Sequence, residues 1–209
     1  MLIEKTSRLT KNKIFEMMAT VSEQQRKRIH PHKFTLWIGM ASIVMMFAGF
    51  TSAYIVKRND SNWIEFKLPP VFWFSTGVIL LSSLTIYLAS RAFKDRNMSR
   101  YRLLITVTAA LGVLFVVLQW MGFQYLQDHG VKLIGSNSNA SGSFLGVITG
   151  IHMLHVLAGV IVLIVMFLRV FDMRRKNYSM VPIEVVSTYW HFVDGIWIYL
   201  FIFFNIVSG

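Results

Sequence analysis

The chain has 209 residues, of which 55% are hydrophobic and 15% are charged, and its mean hydropathy is +0.53. These values exclude a disordered chain and an ordinary soluble domain, in which about a quarter of the residues are charged. The absence of cysteine excludes a disulfide framework and a thiolate metal site. The composition therefore indicates an integral membrane protein.

Residues 1–33 form a basic segment that precedes the first apolar stretch. The segment is too long and too charged for a signal peptide, so we expect a cytoplasmic tail. The net charge of +11 fits a basic cytoplasmic face beside anionic lipid. We expect no nucleic-acid partner, because the basic residues are not interleaved with stacking aromatic residues.

Five later segments are long and apolar enough to cross a bilayer as helices, which takes about 20 residues each. None of them shows the alternation of a barrel strand. The sequence predicts an all-α integral membrane protein, in which residues 34–209 form a bundle of five transmembrane helices. We expect these helices at about 34–56, 71–92, 103–126, 143–170 and 183–207.

The basic residues are divided unevenly between the two ends of these helices. All lysines and arginines except Lys57, Arg58, Lys67 and Lys132 lie in the tail, the second loop or the fourth connection. Basic residues are retained on the cytoplasmic side of a membrane. The distribution therefore predicts a cytoplasmic N-terminus and a C-terminus on the outside.

Polar groups inside a span are costly unless they are paired, so each one needs an explanation. They belong to the last three predicted helices: Gln119, His152, His155, Glu184, His191 and Asp194. In the fifth helix Glu184, His191 and Asp194 share a stripe about 120° wide with Ser187 and Thr188. This stripe should face protein or water, while Trp190 and Trp197 lie on other faces. Gly159, on the same side as the two histidines of the fourth helix, should allow close backbone approach. We expect His155 and Asp194 to pair between adjacent helices.

Three interpretations of this cluster compete. The groups can fix the register of the helices through hydrogen bonds, which is the interpretation that we favour. They can conduct or store protons. They can also bind a metal ion or heme, which would require His155 and His191 to face each other across a gap wide enough for a porphyrin.

Two motifs in the last two helices resemble the cytochrome c oxidase subunit III family. Residues 149–156, TGIHMLHV, are similar to the fourth helix of the five-helix form of that family, and residues 189–194, YWHFVD, to its last helix. Weaker similarities lie at residues 47–49 in the first helix and at Leu111, Gly112, Phe115 and Gln119 in the third. The resemblance extends from about residue 30 to the end.

The resemblance implies an accessory subunit of a proton-pumping heme-copper terminal oxidase of the bacterial inner membrane, where it would be a multi-pass protein. In that family the heme and copper belong to partner subunits I and II, so we expect no catalytic residue, cofactor or metal ion in this chain. The resemblance also implies bound phospholipid and support of stability and proton uptake. A larger respiratory supercomplex is a further partner to be considered.

Two details qualify that reading. Four arginines, Arg91, Arg96, Arg100 and Arg102, are expected to contact lipid headgroups, although ordinary positive-inside charge explains them equally well. Many family members carry a buried glutamate in the first helix of this core. Here Ile43 occupies that place, so a proton role that depends on the glutamate is not expected.

Two alternatives remain open. The subunit III of a quinol oxidase has the same fold, and the electron donor docks on another subunit. A free-standing membrane cytochrome or metal enzyme would instead use the histidine and carboxylate cluster, and a cytochrome would show heme absorption when isolated.

Overall fold

The computed structural model describes residues 31–58, 63, 68–131, 140–171 and 181–208. These residues contain five helices and no strand, in the order α1 (Pro31–Lys57), α2 (Val71–Lys94), α3 (Met98–Asp128), α4 (Ala140–Phe171) and α5 (Val181–Ser208). Each helix is long and apolar enough to cross a membrane. The predicted all-helical membrane bundle is thereby confirmed, while residues 1–30 of the expected tail lie outside the described part.

The turn between α2 and α3 is tighter than the sequence suggested, because α3 begins at Met98 rather than near 103. The side-chain oxygen of Asn97 accepts a hydrogen bond of 3.2 Å from the backbone N–H of Arg100, which is a favourable N-cap. Arg96 adopts a φ of 55° in the turn. The Asn97 N–H then reaches back to the Ala92 carbonyl at 3.0 Å. Arg100 and Arg102 consequently belong to α3 and not to a loop.

Four helices form a closed ring, in which α2 and α4 each pack against both α3 and α5. Glycine allows close approach between neighbours: a Cβ added to Gly122 of α3 would lie 3.1 Å from the Phe72 ring of α2. The chain divides into two units, Met1–Trp37 and Ile38–Gly209, and the described part of the first unit is the beginning of α1. The remainder of α1 contacts α4 and α5 through side chains, among them Phe47 and Tyr54.

Trp190 of α5 contacts every other helix of the ring. Its indole Nε1 donates a hydrogen bond of 3.0 Å to the Ser82 hydroxyl of α2. A Cβ added to Gly112 of α3 would lie 2.8 Å from the indole, and one added to Gly159 of α4 would lie 2.9 Å from it. The close contact at Gly159 is thus with an indole ring, whereas the expected contact was with a neighbouring backbone.

The predicted orientation of α5 is wrong in part. Asp194 is buried, but so are Trp190 and Trp197, whereas Thr188 of the polar stripe is exposed. The physical reason is that lipid chains are as apolar as a leucine side chain, so burial of apolar residues does not favour the interior of a membrane bundle. The large rings instead fill the interior through packing against glycine.

Candidate functional site

A row of hydroxyl groups on α2 organises the polar contacts of the ring. It consists of two adjacent pairs, Ser75 with Thr76 and Ser82 with Ser83, and the second pair follows the first by about two helical turns. Their partners on α3 and α5 include Gln119, whose Nε2 lies 2.9 Å from the Ser75 hydroxyl, and Trp197, whose Nε1 lies 3.0 Å from the Thr76 hydroxyl. Sequence reasoning missed this row because it considered ionisable groups, although the spacing is visible in the sequence.

His191 and Asp194 of α5 both face Ser83 of α2. The Ser83 hydroxyl lies 2.6 Å from Nδ1 of His191. It also faces the Asp194 carboxyl, without a hydrogen bond of ordinary geometry between them. Asp194 is only 3% exposed, and within the described part of the chain neither carboxyl oxygen has a hydrogen-bond partner. The side chains of His191 and Asp194 therefore lie against α2 and not against α4.

The predicted pair of His155 and Asp194 is not formed. Nδ1 of His155 lies 2.8 Å from the carbonyl oxygen of Ile151 in its own helix. A hydrogen bond between α5 and α4 is formed by Tyr189, whose hydroxyl donates to the His155 carbonyl at 3.0 Å. The prediction failed because Asp194 points to the hydroxyl row of α2. The prediction had considered only α4 and α5 as partners, so α2 was left out.

His152 is enclosed by aromatic rings from three helices. Its imidazole stacks on Trp197 of α5 with a centroid distance of 5.4 Å and an interplanar angle of 27°. Phe47 of α1 and Phe115 of α3 present their rings at centroid distances of 6.1 and 6.4 Å. Both imidazole nitrogens are without a hydrogen bond in the described part of the chain. Aromatic rings of α1, α3 and α5 therefore surround this imidazole.

The six candidate residues do not converge on one centre. Gln119 bonds to α2, and Glu184 lies in the first turn of α5, where a negative charge is favourable near the helix N-terminus. His152 and His155, one turn apart on α4, both lie 6.1 Å from the centre of the Phe47 ring, whereas His191 is bonded to Ser83 of α2. Across the described ranges, no group of three or more His, Cys, Asp or Glu residues is arranged to hold a metal ion. The arrangement is suited to hydrogen bonding between helices.

Two of the four candidate arginines share a cavity at the turn between α2 and α3. Arg91 and Arg100 line a volume of about 440 Å³ together with Asp95 and Asn97, and its apolar walls are Leu88, Ala92 and Leu104. The guanidinium of Arg91 also lies 5.7 Å from the centre of the Tyr87 ring. Arg96 and Arg102 do not line this cavity.

A second cavity, of about 240 Å³, lies between α3 and α4. Its walls are mainly apolar, and they comprise Trp120, Phe123, Gln124, Gln127, Gly146, Gly150 and Met153. The sequence offered a signal for it, since Gly146 and Gly150 are one turn apart and leave a groove in α4. Sequence reasoning did not use that signal.

Comparison with known proteins gives a consistent result. Residues 64–208, which include α2 to α5, match the family model described as cytochrome c oxidase subunit III. The chain is 31% identical to the cytochrome c oxidase subunit 3 of Corynebacterium diphtheriae over 166 residues, which are 76% of this chain and 80% of that protein. It is 26% identical to the subunit of the same name from Bacillus sp. (strain PS3), over 79% of this chain and 80% of that protein. Against the subunit of Pisaster ochraceus the identity is 35%, over 61% of this chain and 47% of that protein.

Proposed function

The chain belongs to the cytochrome c oxidase subunit III family, and on that premise we propose that it is an accessory, non-redox subunit of a heme-copper terminal oxidase. The oxidase reduces oxygen to water and pumps protons, and its heme and copper are carried by partner subunits I and II. The relatives named above are cytochrome c oxidase subunits, which favours cytochrome c over quinol as the electron donor.

The observation that carries the accessory role is that the imidazoles of the three membrane histidines make three different contacts. A heme with two histidine ligands needs both imidazoles to face the iron. Here His155 is bonded to its own helix, His191 is bonded to Ser83, and His152 is stacked on Trp197. This arrangement supports a role in packing and argues against the alternative of a free-standing cytochrome.

The proposed location is the bacterial inner membrane, with the N-terminus in the cytoplasm and the C-terminus outside. Bacterial relatives and the five membrane-spanning helices support the location. Clustered basic residues at the turn between α2 and α3, among them Arg91, Lys94 and Arg100, support the orientation. A reporter that is active only in the cytoplasm should therefore work when it is inserted after Lys94 and be silent after Gly209.

The cavity of Arg91 and Arg100 is proposed to hold a phospholipid headgroup. Guanidinium groups form strong, charge-assisted hydrogen bonds with phosphate. Leu88 and Leu104 provide apolar walls on which the acyl chains can lie. Phospholipid retained by the native oxidase after detergent exchange should be lost when Arg91 and Arg100 are both changed to Gln, but kept in the matched variant Arg96→Gln.

Support of proton uptake is the remaining part of the proposal. No acidic residue lies anywhere in α1, where Ile43 is half-buried at the position of the family glutamate. The supporting groups must therefore be sought outside α1. Stripping the chain from the oxidase should slow proton uptake most at high pH, where free protons are scarce.

The decisive experiment is purification through an affinity tag on this chain. From native membranes the chain should bring with it the heme-containing subunits, and after dissociation it should be colourless. The stripped oxidase should keep its heme spectrum and most of its initial turnover, and it should become inactive after fewer turnovers. Heme absorption that follows the isolated chain, or loss of the first turnovers on stripping, would contradict the accessory role.

A further inference from the structure

His191 lies on the outer side of the contact between α2 and α5, within the membrane. It is ten residues from the start of α5, or about 15 Å along the helix at about 1.5 Å per residue. Its side chain is only half-buried. Nδ1 is bonded to Ser83, and no residue of the described part forms a hydrogen bond with Nε2.

Lipid cannot satisfy the free nitrogen of this imidazole. Whichever tautomer is present, one ring nitrogen remains as a donor or an acceptor once the other is engaged with Ser83. Hydrocarbon chains offer neither group, and ionisable residues in membrane helices almost always face protein or a water-filled cavity. The outer side of His191 therefore needs a polar neighbour that the described residues of this chain do not supply.

The surface around His191 has the shape of a helix-packing site. Gly195, one turn farther along α5, is exposed, and a Cβ added there would meet nothing within 4 Å. Small residues of this kind let two membrane helices approach closely. Leu80 and Tyr87 of α2, both 49% exposed, flank Ser83 along the opposite edge. We name the surface formed by Leu80, Ser83, Tyr87, Thr188, His191 and Gly195 the α2–α5 seam.

We infer that the α2–α5 seam is the docking surface for a transmembrane helix of another oxidase subunit, anchored by a hydrogen bond between Nε2 of His191 and a neutral polar side chain of that helix. The inference rests on the proposed function, because it requires a partner with a membrane helix. A neutral side chain such as Ser, Thr, Asn or Gln fits best, since a charged group at this depth would be costly to desolvate. The notch at Gly195 admits the backbone of the partner.

The first test compares three variants of the chain in the intact oxidase. His191→Phe removes both ring nitrogens, Ser83→Ala removes only the internal hydrogen bond, and His191→Gln retains a polar group. We expect His191→Phe to raise the fraction of chain released by a detergent wash about threefold to tenfold, as the loss of one intramembrane hydrogen bond would. Ser83→Ala should release much less, and His191→Gln should restore most of the retention.

Equal release by Ser83→Ala and His191→Phe would overturn the inference, because His191 would then act only within its own chain. Retention of His191→Phe like that of the native chain would also overturn it. In either case co-purification of the native chain with heme-containing subunits would leave the proposed function standing, so the two failures are distinguishable.

The second test identifies what covers the seam. A photo-reactive phenylalanine derivative replaces Leu80 in the seam, or Leu114 on α3, which is 44% exposed at a similar depth. In native membranes the probe at position 80 should cross-link this chain to a second protein subunit. Cross-linking to lipid alone from position 80, at the level seen from position 114, would show that lipid covers the seam and would overturn the inference.

Discussion

The ring of α2 to α5 and the helix α1 are held in place by different means. Within the ring, glycines bring neighbouring helices into direct contact with the rings of Phe72 and Trp190. Helix α1 instead buries a narrow row of side chains, Met40, Phe47, Thr51 and Tyr54. The hydroxyls of Thr51 in α1 and Tyr199 in α5 form a hydrogen bond of 2.9 Å. Four helices are thus packed closely against one another, and the fifth contacts them through side chains.

The largest effect should come from removing Trp190. Trp190→Ala deletes an indole that touches α2, α3 and α4, and cavities of this size cost about 3 kcal/mol or more. The thermal midpoint of the detergent-solubilised chain should fall by many degrees. Trp120→Ala is the matched control, because Trp120 is 61% exposed and its loss should change the midpoint little. Equal effects of both variants would contradict the central place of Trp190.

A methyl group on Gly112 should destabilise the ring by a smaller amount. The added Cβ would lie 2.8 Å from the Trp190 ring, and the ring cannot retreat because Gly159 lies against it as well. Overpacking of this kind typically costs about 1–3 kcal/mol.

Gly150→Ala is the matched control for Gly112→Ala, because nothing lies within 4 Å of its added Cβ. Alanine is favoured over glycine in a helix by about 0.5–1 kcal/mol, so the control should be neutral or slightly stabilising. A thermal midpoint that falls in Gly112→Ala and does not fall in Gly150→Ala would support the close contact. A thermal midpoint that rises in Gly112→Ala would rule it out.

The smallest effect should come from the attachment of α1. Thr51→Val removes the hydroxyl pair with Tyr199 while it preserves the shape of the side chain, and such bonds contribute about 0.6 kcal/mol on average in membranes. We expect α1 to be cleaved faster by protease near Arg58 while the thermal midpoint of the ring is almost unchanged.

Ser52→Ala serves as the control for Thr51→Val, since Ser52 is exposed on the same helix. A double-mutant cycle of Thr51→Val with Tyr199→Phe measures the coupling between the two hydroxyls. Coupling close to zero would show that α1 is held by its aromatic contacts alone.

The number of helices and their approximate extent could be predicted from the sequence, because a span of about 20 apolar residues is a local property. The family could also be predicted, since the TGIHMLHV and YWHFVD segments are contiguous motifs. The start of α3 could not be placed so well, since apolar content does not reveal the cap formed by Asn97. Of the candidate residues, Gln119, His152 and Asp194 are buried, but the sequence did not point to the buried hydroxyls of α2, and it assigned Asp194 the wrong neighbour.

Which face of each helix points inward was decided only by the tertiary structure. In water, burial of apolar surface would separate the inner face from the outer one, but in lipid both faces can be apolar. The interior is instead determined by close packing, in which Trp190 lies between Gly112 and Gly159. The partners of the hydroxyl row of α2 were likewise decided by the tertiary structure. A serine in a helix can bond to a backbone carbonyl of the preceding turn or to a side chain of a neighbouring helix. Only the packed ring brings Ser83 to His191 and leaves the other side of that imidazole facing outward.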